Sequence, residues 1–457
     1  MKRTATMMMG TMAGAATLIA TGAWAGQARR APAPRTQTQA RAAPLPVTQA
    51  LFDGYVRDRK MPGIVAAFGR AGRPTIFVSA GRIADDSTVA AGPDTLWRIY
   101  SMTKPVTAMA AMILVEEGKL GLDQPVSDIL PAFRNMRVLT DPANGLASRP
   151  AARPITIRHL MTHTAGLGYN IVTKGPLLRE YERLGILPGA ANALIEEQAR
   201  RVRPTSLQAF AGRVATLPLI ADPGTRWSYS IGLDVLGAVI ERVSGMPYDR
   251  FLQARLFTPL RMDSTYFTVP AAEAGRLATN YAFIGANPLQ PDATGTTRVV
   301  ADPARTSVYL RPPSFPYGGA GLVSSARDYD RFLHMLQNGG ALDGARVMRA
   351  ETARLAMSNL LPAGVTFQGV GGGAGGTQGA DTPMGYGAGG SVYLADKPGG
   401  PGKGTYGWGG AAGTIAYVDP VRRVRGTVMV NYFSSERWPL RQEIPAALAR
   451  DLESVRP

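Results

Sequence analysis

The chain of 457 residues has no cysteine and only three histidines, His159, His163 and His334. Without thiols there is no disulfide, no thiolate metal site, no cysteine nucleophile and no lipidated N-terminal cysteine. Three histidines leave little material for a zinc centre or a histidine-based triad. Beyond the first 25 residues, nothing offers the ~18 uninterrupted apolar residues of a membrane span. Fifty basic residues outnumber 33 acidic ones, yet they are scattered singly, with no basic stripe interleaved with aromatics. That pattern argues against a nucleic-acid partner and fits a basic protein with an affinity for anionic surfaces at most. Chemistry here must rest on Ser, Lys, Tyr, Arg or carboxylates, with no cofactor and no metal expected.

The N-terminus reads as an export signal. Lys2 and Arg3 precede the mostly apolar, uncharged run Met7 to Ala23, and Ala23-Trp24-Ala25 is a small-x-small cleavage site. Cleavage after Ala25 and a periplasmic or secreted protein are the expectation. Residues 26–46, with four arginines among Ala, Pro, Gln and Thr, read as a flexible leader. The remaining length exceeds one ordinary core, so residues 47–455 are expected to form one large domain with two lobes.

Apolar residues at 47, 51, 52, 55 and 56 predict a helix over 47–60. Ile64–Phe68 and Thr75–Ser79 read as a hairpin. The stretch from Pro105 to Glu117 is apolar on nearly every face, the mark of a buried helix. Ile231–Val243 and Ala326–Asn338 are the clearest later helices. A glycine-dense tract, 364–404, reads as a surface insertion. Thr414–Val418 and Gly426–Tyr432 flank the turn Asp419-Pro420 as a second hairpin, and a closing helix runs Ile444–Val455. Strands at both ends and helices between predict an α+β fold. Its antiparallel sheet takes both chain ends (47–104 and 384–455), flanked by helices, and 105–360 forms a mostly helical lobe. A site is expected at the seam.

Three segments carry chemistry. Ser101-Met102-Thr103-Lys104 stands before the buried helix, where residues three apart share a side and the helix start favours an oxyanion. Burial of Lys104 there would favour its neutral amine, able to accept the serine proton. Trp227-Ser228-Tyr229-Ser230-Ile231 follows the Pro223-Gly224 turn and opens a helix. Tyr229, one of sixteen tyrosines, could act from there as a general base or serve as a half-buried structural ring. Gly407-Trp408-Gly409-Gly410-Ala411-Ala412-Gly413 leads into a strand, where small residues let a substrate approach the backbone or simply form a bend. No G-x-S-x-G occurs, so an α/β-hydrolase elbow is unsupported. His159 and His163, four apart on an expected short helix, have no acid between them and read as structural.

Together these segments resemble the serine β-lactamase and penicillin-binding-protein superfamily, in its class C-like branch, with the family VIII carboxylesterases the nearest fit. Trp97-Arg98-Ile99-Tyr100, the stretch Ile157 to Leu167 and Gly319-Ala320-Gly321-Leu322-Val323-Ser324-Ser325 add to the resemblance, which covers about 47–455. It implies a β-lactamase/transpeptidase-like fold, Ser101 as nucleophile, Lys104 as its partner and Tyr229 as base and later acid. It also implies an oxyanion hole from the backbone N–H groups of Ser101 and Ala411, and substrate contacts at Trp408, Gly409 and Gly410. Trp408 stands where the lactamases have a lysine and Ile231 where they have an asparagine, departures that match the esterase branch. The resemblance therefore implies an exported hydrolase of short-chain or aryl carboxylic esters, a small-molecule partner. A β-lactamase or D-Ala-D-Ala carboxypeptidase, and an inactive peptidoglycan-binding relative, remain the alternatives.

Overall fold

Residues 63–70 are buried along almost their whole length, without the alternation of a half-exposed strand. Such a pattern requires cover on both faces of a sheet. The computed structural model describes residues 44–285, 291–370, 382–398 and 400–454, so the export signal and leader lie outside the described residues apart from the last few of the leader. Gly63–Arg70 is central in a seven-stranded sheet. Its order is Met384–Tyr386, Ser391–Tyr393, Tyr406–Gly409, Ile415–Asp419, Val424–Met429, Gly63–Arg70 and Ile76–Gly81. Every neighbouring pair is antiparallel. Both ends of the chain thus build one sheet, as the pattern of strands predicts, and the fold is β-lactamase/transpeptidase-like. Ile76–Gly81 alternates in burial, as an edge strand does.

One face of the sheet is covered by Pro46–Arg57 and the closing helix Leu440–Ser454, sealed by Phe52, Ile64, Ala66, Val428, Ile444 and Leu448. The other face carries the larger core, to which the helices Thr103–Glu116, Gly232–Ser244 and Ala326–Gln337 contribute. Thr103–Glu116 has twelve buried residues, as its run of apolar residues from Ala108 to Val115, apolar on every face, dictates. Gly118, at φ +69°, ends it, because a left-handed turn costs glycine little. Ser325 caps Ala326–Gln337 by accepting the Asp328 N–H at 3.1 Å. Among the described residues, no helix is long and apolar enough to cross a membrane.

Three expectations change. The middle of the chain also holds strands: Asn280–Ile284 pairs antiparallel with Thr297–Asp302 and parallel with Tyr432–Phe433. The tract 364–404 is not all insertion, since Met384–Tyr386 and Ser391–Tyr393 are sheet strands. Their glycines sit at close approaches: a Cβ on Gly389 would come 2.5 Å from the Lys104 carbonyl oxygen. The closing helix begins at Leu440 and keeps Pro445 inside it, because burying Leu440 and Ile444 outweighs the hydrogen bond that a proline forgoes.

Candidate active site

The segment before Ser101 is anchored from several sides. Arg98 is fully buried, its Nε 2.7 Å from Asp302 Oδ2 and its Nη2 2.9 Å from Ser307 Oγ. The Arg98 N–H donates to Asn431 Oδ1 at 3.1 Å, and Asn431 Nδ2 donates back to the Arg98 carbonyl. Tyr100 then takes a positive φ of +39°, a strained conformation for a bulky residue that persists only where its surroundings impose it. Ser101 follows in a single 3-10 turn, directly ahead of the helix Thr103–Glu116.

Lys104 and Tyr229 converge on the serine. Lys104 is fully buried. Its Nζ donates to Ser101 Oγ at 3.2 Å and to the Gly319 carbonyl at 2.8 Å, and lies 4.5 Å from the Tyr229 ring centre. The Tyr229 hydroxyl donates to Ser101 Oγ at 2.7 Å. Residues 128 apart in sequence are brought together because the turn carrying Tyr229 leads into Gly232–Ser244, which shares the core of the serine's helix. Hydroxyl, amine and phenol so placed can pass a proton to and from Oγ.

The strand Tyr406–Gly409 brings in the third segment. Gly410 is pressed against the nucleophile's turn: a Cβ there would lie 2.5 Å from the Ile99 carbonyl oxygen and 2.2 Å from Thr414 Oγ1. At Gly409 a Cβ would meet Arg441 Nη2 at 2.9 Å. Gly410 is therefore required by packing, whatever it offers a substrate, whereas at Gly409 the end of the arginine side chain can move aside. Ala411 is exposed at the turn after the strand. Neither its N–H nor that of Ser101 has a hydrogen-bond partner among the described residues. Trp408 is 9% exposed and lies 5.2 Å from the Tyr386 ring and 5.9 Å from that of Tyr229. Ile231 is fully buried in the core.

Several neighbours were not visible from sequence. Asp234, fully buried on the helix after Tyr229, accepts the Gly319 N–H at 2.8 Å and so fixes the peptide that binds Lys104. Burial pushes its carboxyl up to about 7, against the opposing pull of Lys104. Its one signal was a lone acid in the run Gly-Leu-Asp-Val-Leu-Gly-Ala-Val-Ile. His163 and His159 do not share a helix. The helix ends at Met161, and His163 stands beyond it at φ +58°. Its ring lies 4.8 Å from Tyr229, and its Nδ1 accepts the Ser230 N–H at 3.1 Å. Burial holds His163 well below the usual imidazole range and His159 down at about 4. His159 instead caps its helix, Nδ1 accepting the Thr156 N–H at 3.1 Å. Phe367, from the glycine-dense tract, completes an aromatic wall with Trp227, Tyr386 and Trp408.

The beta-lactamase family model matches residues 48–449. The chain is 35% identical over 298 residues to esterase EstB of Burkholderia gladioli, covering 63% of this chain and 69% of that protein. It is 30% identical over 341 residues to lovastatin esterase of Penicillium rubens, covering 71% of this chain and 77% of that one. A solved structure, EstCE1, a hydrolase with promiscuous acyltransferase activity, is similar at a TM-score of 0.69 and 26% identity. That match covers 89% of this chain and 98% of the other.

Proposed function

The chain belongs to the beta-lactamase family and is a serine hydrolase with esterase and acyltransferase relatives; from that premise we propose that it cleaves short-chain or aryl carboxylic esters through an acyl-enzyme on Ser101. The observation that carries this reading is the convergence of Tyr229 and Lys104 on Ser101 Oγ, at 2.7 and 3.2 Å. Ser101 Oγ attacks the ester carbonyl as its proton passes to the Tyr229 oxygen, while the phenol's own proton moves on to the lone pair of Lys104 Nζ, from which it later returns. The resulting oxyanion is met by the N–H groups of Ser101 and Ala411. Its collapse breaks the bond to the alcohol oxygen, which takes the proton from Tyr229 and departs. Water then repeats the sequence on the acyl-enzyme, releasing the acid and restoring Ser101.

The half-buried Phe367 and the slightly exposed Trp408, backed by the fully buried Tyr386, suit an uncharged acyl or aryl group. The basic, apolar opening residues and Ala23-Trp24-Ala25 support export. A fluorescent fluorophosphonate tests the mechanism, since only an activated serine reacts. Wild type should label at Ser101 and turn over p-nitrophenyl esters. Absence of labelling in the folded protein would leave only the inactive, binding relative.

A further inference from the structure

Next to Tyr229 the surface opens into a cavity of about 540 Å³, within the size range of sites that hold a drug-sized organic group. Leu139, Val172, Leu177 and Ile220 give it apolar walls. Lys174 and Arg226 are its charged lining residues, and no acid lines it among the described residues. Both are exposed, and neither has an ion-pair or hydrogen-bond partner among the described residues. The carboxylates close by in sequence are already engaged. Asp222 is bound by Arg149 Nη2 at 2.5 Å and by the Ala152 N–H at 2.8 Å, and Asp141 by Asn144 Nδ2 at 2.8 Å and the Ala143 N–H at 3.0 Å. Other surface arginines, such as Arg158, Arg183 and Arg327, have carboxylate partners. An apolar cavity with two unmatched cations complements an apolar anion.

The position of Tyr229 says which half of the ester enters. Tyr229 lines the cavity, and its hydroxyl is the group that returns a proton to the departing oxygen, so the alcohol must leave on its side. We propose that this cavity binds the alcohol half of the substrate, and that this alcohol is an apolar group carrying a carboxylate at its far end. The inference rests on the acyl-enzyme reading and adds the substrate's class to it.

Butyrate esters of 8-hydroxyoctanoic acid and of 8-hydroxyoctanamide are close to isosteric and differ in that charge, and each holds a single ester bond. With wild type, the acid should be preferred roughly five- to tenfold in kcat/KM at low salt, a preference that shrinks in high salt because the cations are exposed. The double variant Lys174→Gln, Arg226→Gln should bring the ratio near one. The ratio isolates the charge from any general loss of rate. Turnover of p-nitrophenyl butyrate with a wild-type ratio of one or less overturns the inference alone, as does a preference that survives in the double variant. Failure to hydrolyse p-nitrophenyl butyrate at all would sink the esterase reading and the inference with it.

Discussion

Two donors meet on one acceptor at Ser101, and no side-chain hydrogen bond caps the helix behind it. Ser101→Ala therefore removes the nucleophile without removing a cap. Ester turnover should vanish while the melting temperature stays near wild type, and a folded variant with near-normal activity would refute the assignment. Tyr229→Phe should lower kcat by at least ~10²-fold, the usual scale of acid–base help. The histidines are poor sources of a pH limb near 6.5, because burial keeps His163 well below that value and His159 at about 4. Asp234 is the better source. Its folded carboxyl is raised to about 7 from an ordinary value of 3.8, so the folded state holds a proton that the unfolded chain has lost. The stability it contributes is present below about pH 4 and is lost as the pH rises through about 7. Relative to wild type, Asp234→Asn should thus gain melting temperature between those limits and level off above them. A difference flat with pH would show that Asp234 does not titrate there.

At the scale of elements, the fit between the strand Tyr406–Gly409 and the serine's turn is set by backbone contact. Gly410→Ala places a methyl against the Ile99 carbonyl, which cannot rotate away. Overpacking of this kind costs about 1–3 kcal/mol, and the strand end should shift from Ser101, lowering kcat together with melting temperature. Gly212→Ala is the counterpart, since a Cβ at that helical position meets nothing within 4 Å. It should stabilise by about 0.5–1 kcal/mol and leave kcat alone. Elements of this kind were legible where their signal is local. Ser101 and Lys104 lie one helical turn apart, and Ile415–Asp419 with Val424–Met429 show a strand pattern around Asp419-Pro420. The pairing of Tyr432 with Tyr281 was not legible, because nothing local links residues so far apart. Glycine content hid Met384–Tyr386 and Ser391–Tyr393, whose place depends on a neighbouring strand rather than on side-chain alternation. Asp234, Gly319 and His163 join the site through tertiary packing alone.

The molecule as a whole decides between ester and lactam, because its site is walled from both the sheet and the helices. Trp408 and Tyr386 come from strands, Trp227 and Tyr229 from the turn before Gly232–Ser244, and together they pack into a buried aromatic cluster beside Ser101. A β-lactam carries a carboxylate beside its ring, and a lysine in that strand could give a charge-assisted hydrogen bond worth about 1.5–3 kcal/mol. At 1.4 kcal/mol per tenfold, its replacement by Trp408 forfeits roughly 10–100-fold in transition-state binding. Ile231, buried in the core, offers no amide to replace it. An uncharged ester needs neither anchor and gains the wall. The kcat/KM for p-nitrophenyl butyrate should exceed that for nitrocefin by at least ~10²-fold, the charge anchor and the missing amide contributing together. Trp408→Lys should narrow the gap, and because Trp408 is packed on Tyr386 and Tyr229, the ratio of the two substrates is the quantity to read. Arg441 is a cation that does lie beside that strand, its Nη2 3.5 Å from the Gly410 carbonyl oxygen. Arg441→Gln tests whether it serves a lactam instead. Nitrocefin hydrolysis as fast as that of the ester would overturn the esterase reading, and its loss in Arg441→Gln would show where the carboxylate is held.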